Sequence, residues 1–304
     1  MNEIKVVIAG GSGFIGQKLT NFLLEKGHEI IILTRKTKEH PLENVSYVEW
    51  LNDGDAPENS LENVDVFINL AGVSINDGRW SKKHQERIYQ SGMIATKELI
   101  RIISTLLNKP STLINASAVG IYPQSLHHIY TEESLEVAND FLGKTVKDWE
   151  ETAKQAEQFG VRTAFMRFGV VLGKGASALS LMTLPYKLFA GGTVGSGKQW
   201  VSWVHEMDVI RVIEFAIENP KIRGPVNVTA PSPMRMKEFG QTIGAVLKRP
   251  HWVPAPAFAI KIALGEKSKL VLEGQQVQPK VLLDEGFTFK FPTLKEALKD
   301  LLIK

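Results

Sequence analysis

The chain has 304 residues, of which 43% are hydrophobic and 23% charged, with a formal net charge of +3 and no cysteine. That is ordinary globular usage with ample apolar material, enough for one large domain or one large and one small. It excludes disulfides, thiolate catalysis and thiolate metal sites, and the evenly mixed signs of charge argue against nucleic acid or a membrane as partner.

In chain order, the first expected element is a strand over Lys5–Ala9, which starts too early to leave room for a signal peptide. It runs into Gly10-Gly11-Ser12-Gly13-Phe14-Ile15-Gly16, and a helical pattern follows over Phe14–Lys26. In this G-x-x-G-x-x-G spacing each glycine has a physical task. Gly10 permits the sharp turn out of the strand, Gly13 leaves the backbone bare for a pyrophosphate, and Gly16 lets the helix pack closely on the strand. The helix N-terminus adds unpaired N–H groups and the positive end of its dipole. Gly10, Ser12, Gly13, Phe14, Ile15 and Gly16 are therefore the expected pyrophosphate-binding residues. The competing reading is a glycine-rich turn that only packs.

Lys26-Gly27-His28 reads as a helix end, and a second strand follows over Glu29–Thr34. NAD-binding versions of this arrangement carry a carboxylate at the end of that strand to hold the ribose hydroxyls. Here the strand ends Thr34-Arg35-Lys36. Arg35 can pair with a 2′-phosphate and stack on adenine, Lys36 adds charge, and Thr34 adds a hydroxyl donor, so the expected cofactor is NADP. The alternative is a solvated pair of loop cations.

Strands are expected next over Val45–Glu49 and Val66–Leu70. The second of these ends Asn69-Leu70-Ala71-Gly72, whose small residues leave space at a strand's C-terminal edge, so Leu70, Ala71 and Gly72 are expected to border the cofactor. A helical pattern over Gln85–Leu107 leads to a strand over Thr112–Ala116, followed by Ser117-Ala118-Val119-Gly120-Ile121-Tyr122. Ser117 and Tyr122 thus point toward the same crevice as candidate catalytic groups, and read equally well as satisfied loop hydroxyls. A helix over Phe141–Phe159 and a strand over Thr163–Phe168 follow. Arg167, at the end of that strand, is expected to be paired or to face the cofactor. Val- and Ile-rich strands alternating with helices predict an α/β fold, a Rossmann-like doubly wound parallel sheet.

After about Gly169 the rhythm changes to glycine-rich loops, a helix around Asp208–Glu218 and a strand over Pro225–Thr229, and Pro231–Lys304 is rich in proline. The expected division is a dinucleotide domain over residues 1–230, with 170–205 contributing to the substrate side, and a smaller C-terminal substrate-side lobe over 231–304. Asp208 reads as a first-turn helix carboxylate beside His205. Trp200, Trp203 and Trp252 read as packing between lobes or lining a pocket. Arg79-Trp80 reads either as a clamp for an anionic or planar substrate or as a surface Arg beside a packed Trp. His127-His128 near Glu132-Glu133 lacks the geometry of a metal site, so no metal is expected.

The glycine turn, Asn69-Leu70-Ala71-Gly72 and the Ser117–Tyr122 stretch resemble an extended short-chain dehydrogenase/reductase. More narrowly, Asp77-Gly78-Arg79-Trp80, Asp148-Trp149-Glu150, the block from Gly195 through Gln199, Trp203, Val204 and His205 to Asp208, Val253-Pro254-Ala255-Pro256, and the tail from Gln275 to Phe287 resemble NAD(P)-dependent epimerase-family proteins with a C-terminal domain of unknown function. The likeness spans essentially the whole chain. It implies a small-molecule oxidoreductase or an epimerase-like enzyme, with a homodimer expected by analogy; the lack of cysteine and of an apolar run long enough to span a membrane makes the cytoplasm the expected compartment. It also implies a tyrosine and, four residues later, a lysine on the helix after the fifth strand. Anchored on Glu150, those positions hold Leu142 and Val146, and one residue earlier Phe141 and Thr145. Lys144 and Lys147 are out of register, and Ala118 takes the usual serine position. The proton must then come from another group (Tyr122, Tyr130 or His205), from water or from substrate, or else the protein is a non-catalytic NADP(H)-binding sensor.

Overall fold

Val6, Val7, Ile8 and Ala9 are all fully buried, although successive strand residues point to opposite faces. Val6 and Ile8 pack into one apolar cluster, Val7 and Ala9 into another. A continuous apolar run is what a strand covered on both faces requires. The computed structural model describes residues 3–37, 43–75 and 77–303. Within them the main sheet comprises β1 (Lys5–Ala9), β2 (Glu29–Thr34), β3 (Val45–Glu49), β4 (Val66–Asn69), β5 (Thr112–Ala118), β6 (Arg162–Phe168) and β7 (Gly224–Val228). All pairings are parallel, in the order β7-β6-β5-β4-β1-β2-β3. The order reverses between β1 and β4, which is where ligands of open α/β sheets bind.

Among the described residues, eight helices of eight or more residues accompany the sheet: α1 (Phe14–Glu25), α2 (Lys82–Thr105), α3 (Phe141–Ala153), α4 (Ser177–Lys187), α5 (Glu206–Glu218), α6 (Met236–Leu247), α7 (Ala257–Leu264) and α8 (Leu294–Leu302). Leu19 and Leu23 of α1 and Val209, Val212 and Ile213 of α5 cover one face of the sheet. Ala95, Leu99, Ile102 and Ile103 of α2 and Ala153 of α3 cover the other. Each such aliphatic side chain taken fully out of water contributes about 1.5–3 kcal/mol before entropy is counted. None of the helices among the described residues is long and apolar enough to cross a membrane.

The α/β doubly wound class is the one the sequence predicts, with local differences. The helix expected over Phe141–Phe159 ends at Ala153, and Lys154–Phe159 tightens into a 3₁₀ segment closed by Gly160 in the left-handed region. α2 starts at Lys82, three residues early, because Ser81 caps it by accepting the His84 N–H. β5 runs to Ala118, two residues beyond expectation, since β6 pairs with it to the end and sets Ser117 opposite Arg167.

A second core joins Leu172, Tyr186, Val201 and Trp203 to Phe239, Ile243 and Leu298. Residues 170–205 are thus packed with the C-terminal segment. Short ladders knit the parts together: Val170–Leu172 with Trp203–His205, Trp200–Val201 with Met234–Arg235, and Ile129–Tyr130 with Gln276–Val277.

Candidate functional site

The turn between β1 and α1 is built by crowding. Gly10 has φ +82°, and a Cβ there would lie 2.6 Å from the Leu70 carbonyl. A Cβ on Gly16 would lie 2.3 Å from the Gly10 oxygen. Gly13 donates its N–H to that oxygen at 2.9 Å and precedes the helix, and its own added Cβ would meet only the Gly10 oxygen, at 3.2 Å. α1 has no side-chain cap and no acidic residue in its first turn. Ser12 and Gly13 are exposed, Phe14 and Ile15 half-buried, Gly16 buried. A bare backbone before an uncapped helix N-terminus fits a phosphate group on both steric and electrostatic grounds.

At the end of β2, Arg35 and Lys36 are exposed, and neither forms an ion pair among the described residues. Thr34 departs from expectation. Its hydroxyl donates to the Lys36 carbonyl at 2.9 Å and receives the Lys36 N–H at 3.3 Å, so it builds the turn and has no proton to spare for a phosphate. Glu49, at the end of the neighbouring strand, is taken up by the Thr37 N–H and hydroxyl at 3.2 and 3.3 Å.

Where β4 ends, the Leu70 N–H bonds the Ala9 carbonyl at 2.8 Å, which places Leu70 and Ala71 beside the glycine turn, while Gly72 is exposed. Asn69 is buried and holds the edge together. Its amide donates to Thr96 Oγ1 at 3.1 Å and Asn115 Oδ1 at 2.7 Å, and its oxygen accepts the Ala71 N–H at 3.2 Å. Between the ends of β4 and β5 lies a cavity of about 70 Å³ lined by Asn69, Ala71, Gly92, Thr96, Asn115, Ala116, Ser117 and Trp149, roomy enough for water. A groove of about 450 Å³ between the starts of α2 and α3 is lined by Phe141 and Thr145, the second pair of relay positions, and by none of the expected cofactor residues.

Ser117, Tyr122 and Arg167 come together, but in the interior. Ser117 donates to Glu150 Oε1 at 2.5 Å. Arg167 gives Nε and Nη2 to the two oxygens of Glu150, at 2.8 and 2.7 Å, and Nη1 to the Tyr122 hydroxyl at 2.7 Å. Tyr122 is 1% exposed, with its proton directed at Asn227 Oδ1 (2.9 Å) or the Thr131 carbonyl (3.0 Å). Burial works against the charge on Arg167, but the Glu150 carboxylate overrides it and holds the guanidinium pKa above its ordinary value. Burial likewise pushes the Tyr122 hydroxyl up. In place of a cofactor contact, then, Arg167 has a buried carboxylate, and Tyr122 is a structural hydroxyl behind the crevice. Glu150, the centre of this cluster, escaped the sequence reading as a partner. The available signal was a carboxylate four residues after Val146, on one stripe with Leu142.

The missing tyrosine–lysine pair has a structural counterpart. Val146 is fully buried against Ile121, Tyr122, Tyr130 and Val277. Leu142 packs beside Gly120, and Lys144 and Lys147 are exposed. Tyr130 is stacked on Tyr122 and 4% exposed. His205 caps α5, accepting the Met207 N–H on Nδ1 at 3.0 Å, and stacks on Phe291. Its Nε2 lies 3.3 Å from Asp300 Oδ2, near enough for an ion pair yet without an aligned hydrogen bond. Burial holds its pKa below the usual value. Asp208 is fully buried and accepts the Lys290 and Phe291 N–H groups, a tie between α5 and the C-terminal segment.

Arg79 is exposed, whereas Trp80 is buried and donates to the Ile75 carbonyl. Trp203 is fully buried, Trp200 lies under the Arg235 guanidinium, and Trp252 is exposed. The sequence also gave no warning of Glu206. It is 8% exposed, with Oε1 on Lys18 Nζ at 3.2 Å and Oε2 reached by no donor among the described residues.

Comparison with known proteins matches residues 6–228 to the NAD dependent epimerase/dehydratase family and residues 255–301 to a domain of unknown function, DUF1731. Epimerase family protein YfhF of Bacillus subtilis (strain 168) is 48% identical over 299 residues, 98% of each chain. Epimerase family protein SH2119 of Staphylococcus haemolyticus is 42% identical over 296 residues, 97% of this chain and 98% of that one. Among solved structures, the human epimerase family protein SDR39U1 (isoform 2) with NADPH superposes with a TM-score of 0.86 at 32% identity, covering 98% of this chain and 99% of that one. Fold, glycine turn and sequence likeness agree: the chain belongs to the NAD dependent epimerase/dehydratase family.

Proposed function

We propose that this protein binds NADP(H) at the β1–α1 turn and acts as an oxidoreductase or epimerase-like enzyme on a small molecule, without a tyrosine–lysine relay. The carrying observation is the uncapped α1 N-terminus over a turn that admits only glycine at Gly10 and Gly16, with exposed Arg35 and Lys36 at the end of the next strand. The human relative solved with NADPH supports the phosphorylated cofactor. In this reading Ser12–Gly16 hold the diphosphate, Arg35 and Lys36 take the 2′-phosphate, and Leu70, Ala71 and Gly72 border the dinucleotide. When bound, the nicotinamide would supply the hydride donor or acceptor. Ser117 spends its proton on Glu150, so water in the adjoining cavity or the substrate itself is the proton source. Residues 170–205 and 231–304 form the substrate side.

Arg35→Glu decides the cofactor. A charge-assisted phosphate contact contributes about 1.5–3 kcal/mol, so NADPH affinity should fall about tenfold or more while NADH affinity stays the same or rises. An unchanged preference between the two nucleotides removes the assignment.

A second reading, a non-catalytic NADP(H) sensor, is favoured by one observation: Val146 is buried and Leu142 is apolar at the two relay positions. Stopped-flow measurement of NADPH oxidation against a panel of carbonyl compounds separates the two. Turnover supports the enzyme, and tight binding without turnover on any compound supports the sensor.

A further inference from the structure

Glu206 opens α5 on the same face of the sheet as α1 and is 8% exposed. Lys18 pairs with its Oε1, and the same ammonium lies 5.4 Å from the centre of the Phe14 ring. Oε2 has no donor among the described residues. A Cβ on Gly173 would lie 1.9 Å from that oxygen and 2.4 Å from Phe14 Cζ. The unpartnered oxygen, the first residue of α1 and the backbone just past Val170–Leu172 therefore converge on one spot beside the uncapped helix N-terminus. A buried carboxylate oxygen without a donor is costly, and a ligand that brings the donor recovers that cost. Lys18 offsets the negative charge toward the diphosphate, so what remains is an acceptor suited to a neutral N–H.

The position selects the part of the ligand. In a doubly wound sheet the two halves of a dinucleotide lie on opposite sides of the switch point. Arg35 and Lys36 mark the β1-β2-β3 side, for the adenine half. Gly173 follows β6 on the other side, where the nicotinamide half belongs. We infer that Glu206 is a cofactor-binding residue whose Oε2 accepts an N–H of the nicotinamide carboxamide. This assignment rests on the dinucleotide reading above.

The probe is NADP against its 3-acetylpyridine analogue, in which a methyl ketone replaces the amide and no N–H remains. Dissociation constants are read by calorimetry on the full-length, nucleotide-stripped protein. The wild type should bind the analogue about tenfold or more weakly than NADP, as a hydrogen bond to a charged acceptor implies. Glu206→Ala should bring that ratio close to one by weakening NADP alone, and Glu206→Gln, which keeps an acceptor oxygen, should retain part of it. Thermal melts verify that the variants are folded. Should the alanine variant not fold, the wild-type ratio and the glutamine variant still decide. Equal wild-type affinity for both nucleotides, or an alanine variant with full discrimination, overturns the assignment. A wild type that binds neither nucleotide removes the dinucleotide reading itself, a result distinct from equal binding of both.

Discussion

An added methyl at Gly16 would lie 2.3 Å from the Gly10 carbonyl oxygen, whereas at Gly13 it would meet that oxygen at 3.2 Å and nothing else outside its chain neighbours. The two glycines should therefore fail differently. Gly16→Ala is expected to lower unfolding stability in urea by about 1–3 kcal/mol, the usual range for overpacking. Gly13→Ala should stay within about 0.5 kcal/mol of the wild type, and its loss should fall on dinucleotide affinity. A Gly13→Ala protein that binds NADP normally would rule out a diphosphate at that residue. These tasks were legible in the spacing because each glycine answers to a neighbour fixed by the local strand-turn-helix path. For Arg167 a paired or cofactor-facing role was legible, but its partners were not. Its carboxylate comes from α3, 17 residues earlier in the chain, and its phenol from Tyr122, 45 residues earlier. Removing one partner of such a buried pair costs about 3–5 kcal/mol, which ties Arg167 to stability ahead of cofactor contact.

At the scale of elements, hydrophobic period placed β1 and β2 to the residue, because a strand buried on both faces shows an unbroken apolar run with sharp ends. The end of β5 was set by its pairing with β6, and α3 gives way at Ala153 to a 3₁₀ segment that the left-handed Gly160 closes. The start of α5 carries a pH response. His205 caps that helix while buried, and burial also lowers the pKa of His28 and His251. All three begin from an ordinary value of 6.5. As pH drops through that value the unfolded chain takes up protons that the folded protein refuses. Stability is therefore full above pH 6.5 and declines toward the lower folded-state pKa values. Urea midpoints at pH 7.5 and 5.5 should show the decline. His205→Asn, which keeps a capping acceptor but does not titrate, should make it shallower. An identical acid slope in the variant would show that His205 has no part in it.

The whole molecule has a second core that no contiguous segment supplies. Trp203 is fully buried, donates its indole N–H to the Ser232 carbonyl, and shares a cluster with Phe239, Ile243 and Leu298. Ending the chain after residue 230 would strip that cover from Trp203, Leu172 and Val201. The truncated protein is therefore expected to aggregate or to lose its cooperative melt, although its seven-stranded sheet would be intact in sequence. A soluble, cooperatively melting fragment would show instead that the lobe is a separable addition. The C-terminal proline-rich segment signalled a change of architecture, but its packing against residues 170–205 was visible only as an expectation.

Sequence by itself determined the features that depend on residues near one another in the chain: the strand and helix periods, the doubly wound class, the glycine turn, the cations after β2 and the absence of the tyrosine–lysine pair. Local backbone geometry and side-chain period dictate these, and they leave their mark at fixed short spacing. Tertiary structure alone decided which polar groups face the crevice and which are spent inside. It drew Ser117, Tyr122 and Arg167 into one buried cluster around Glu150 and left one oxygen of Glu206, beside α1, without a donor among the described residues. A polar side chain's role follows from the partner that satisfies it, and that partner lies at a distance along the chain that only folding specifies.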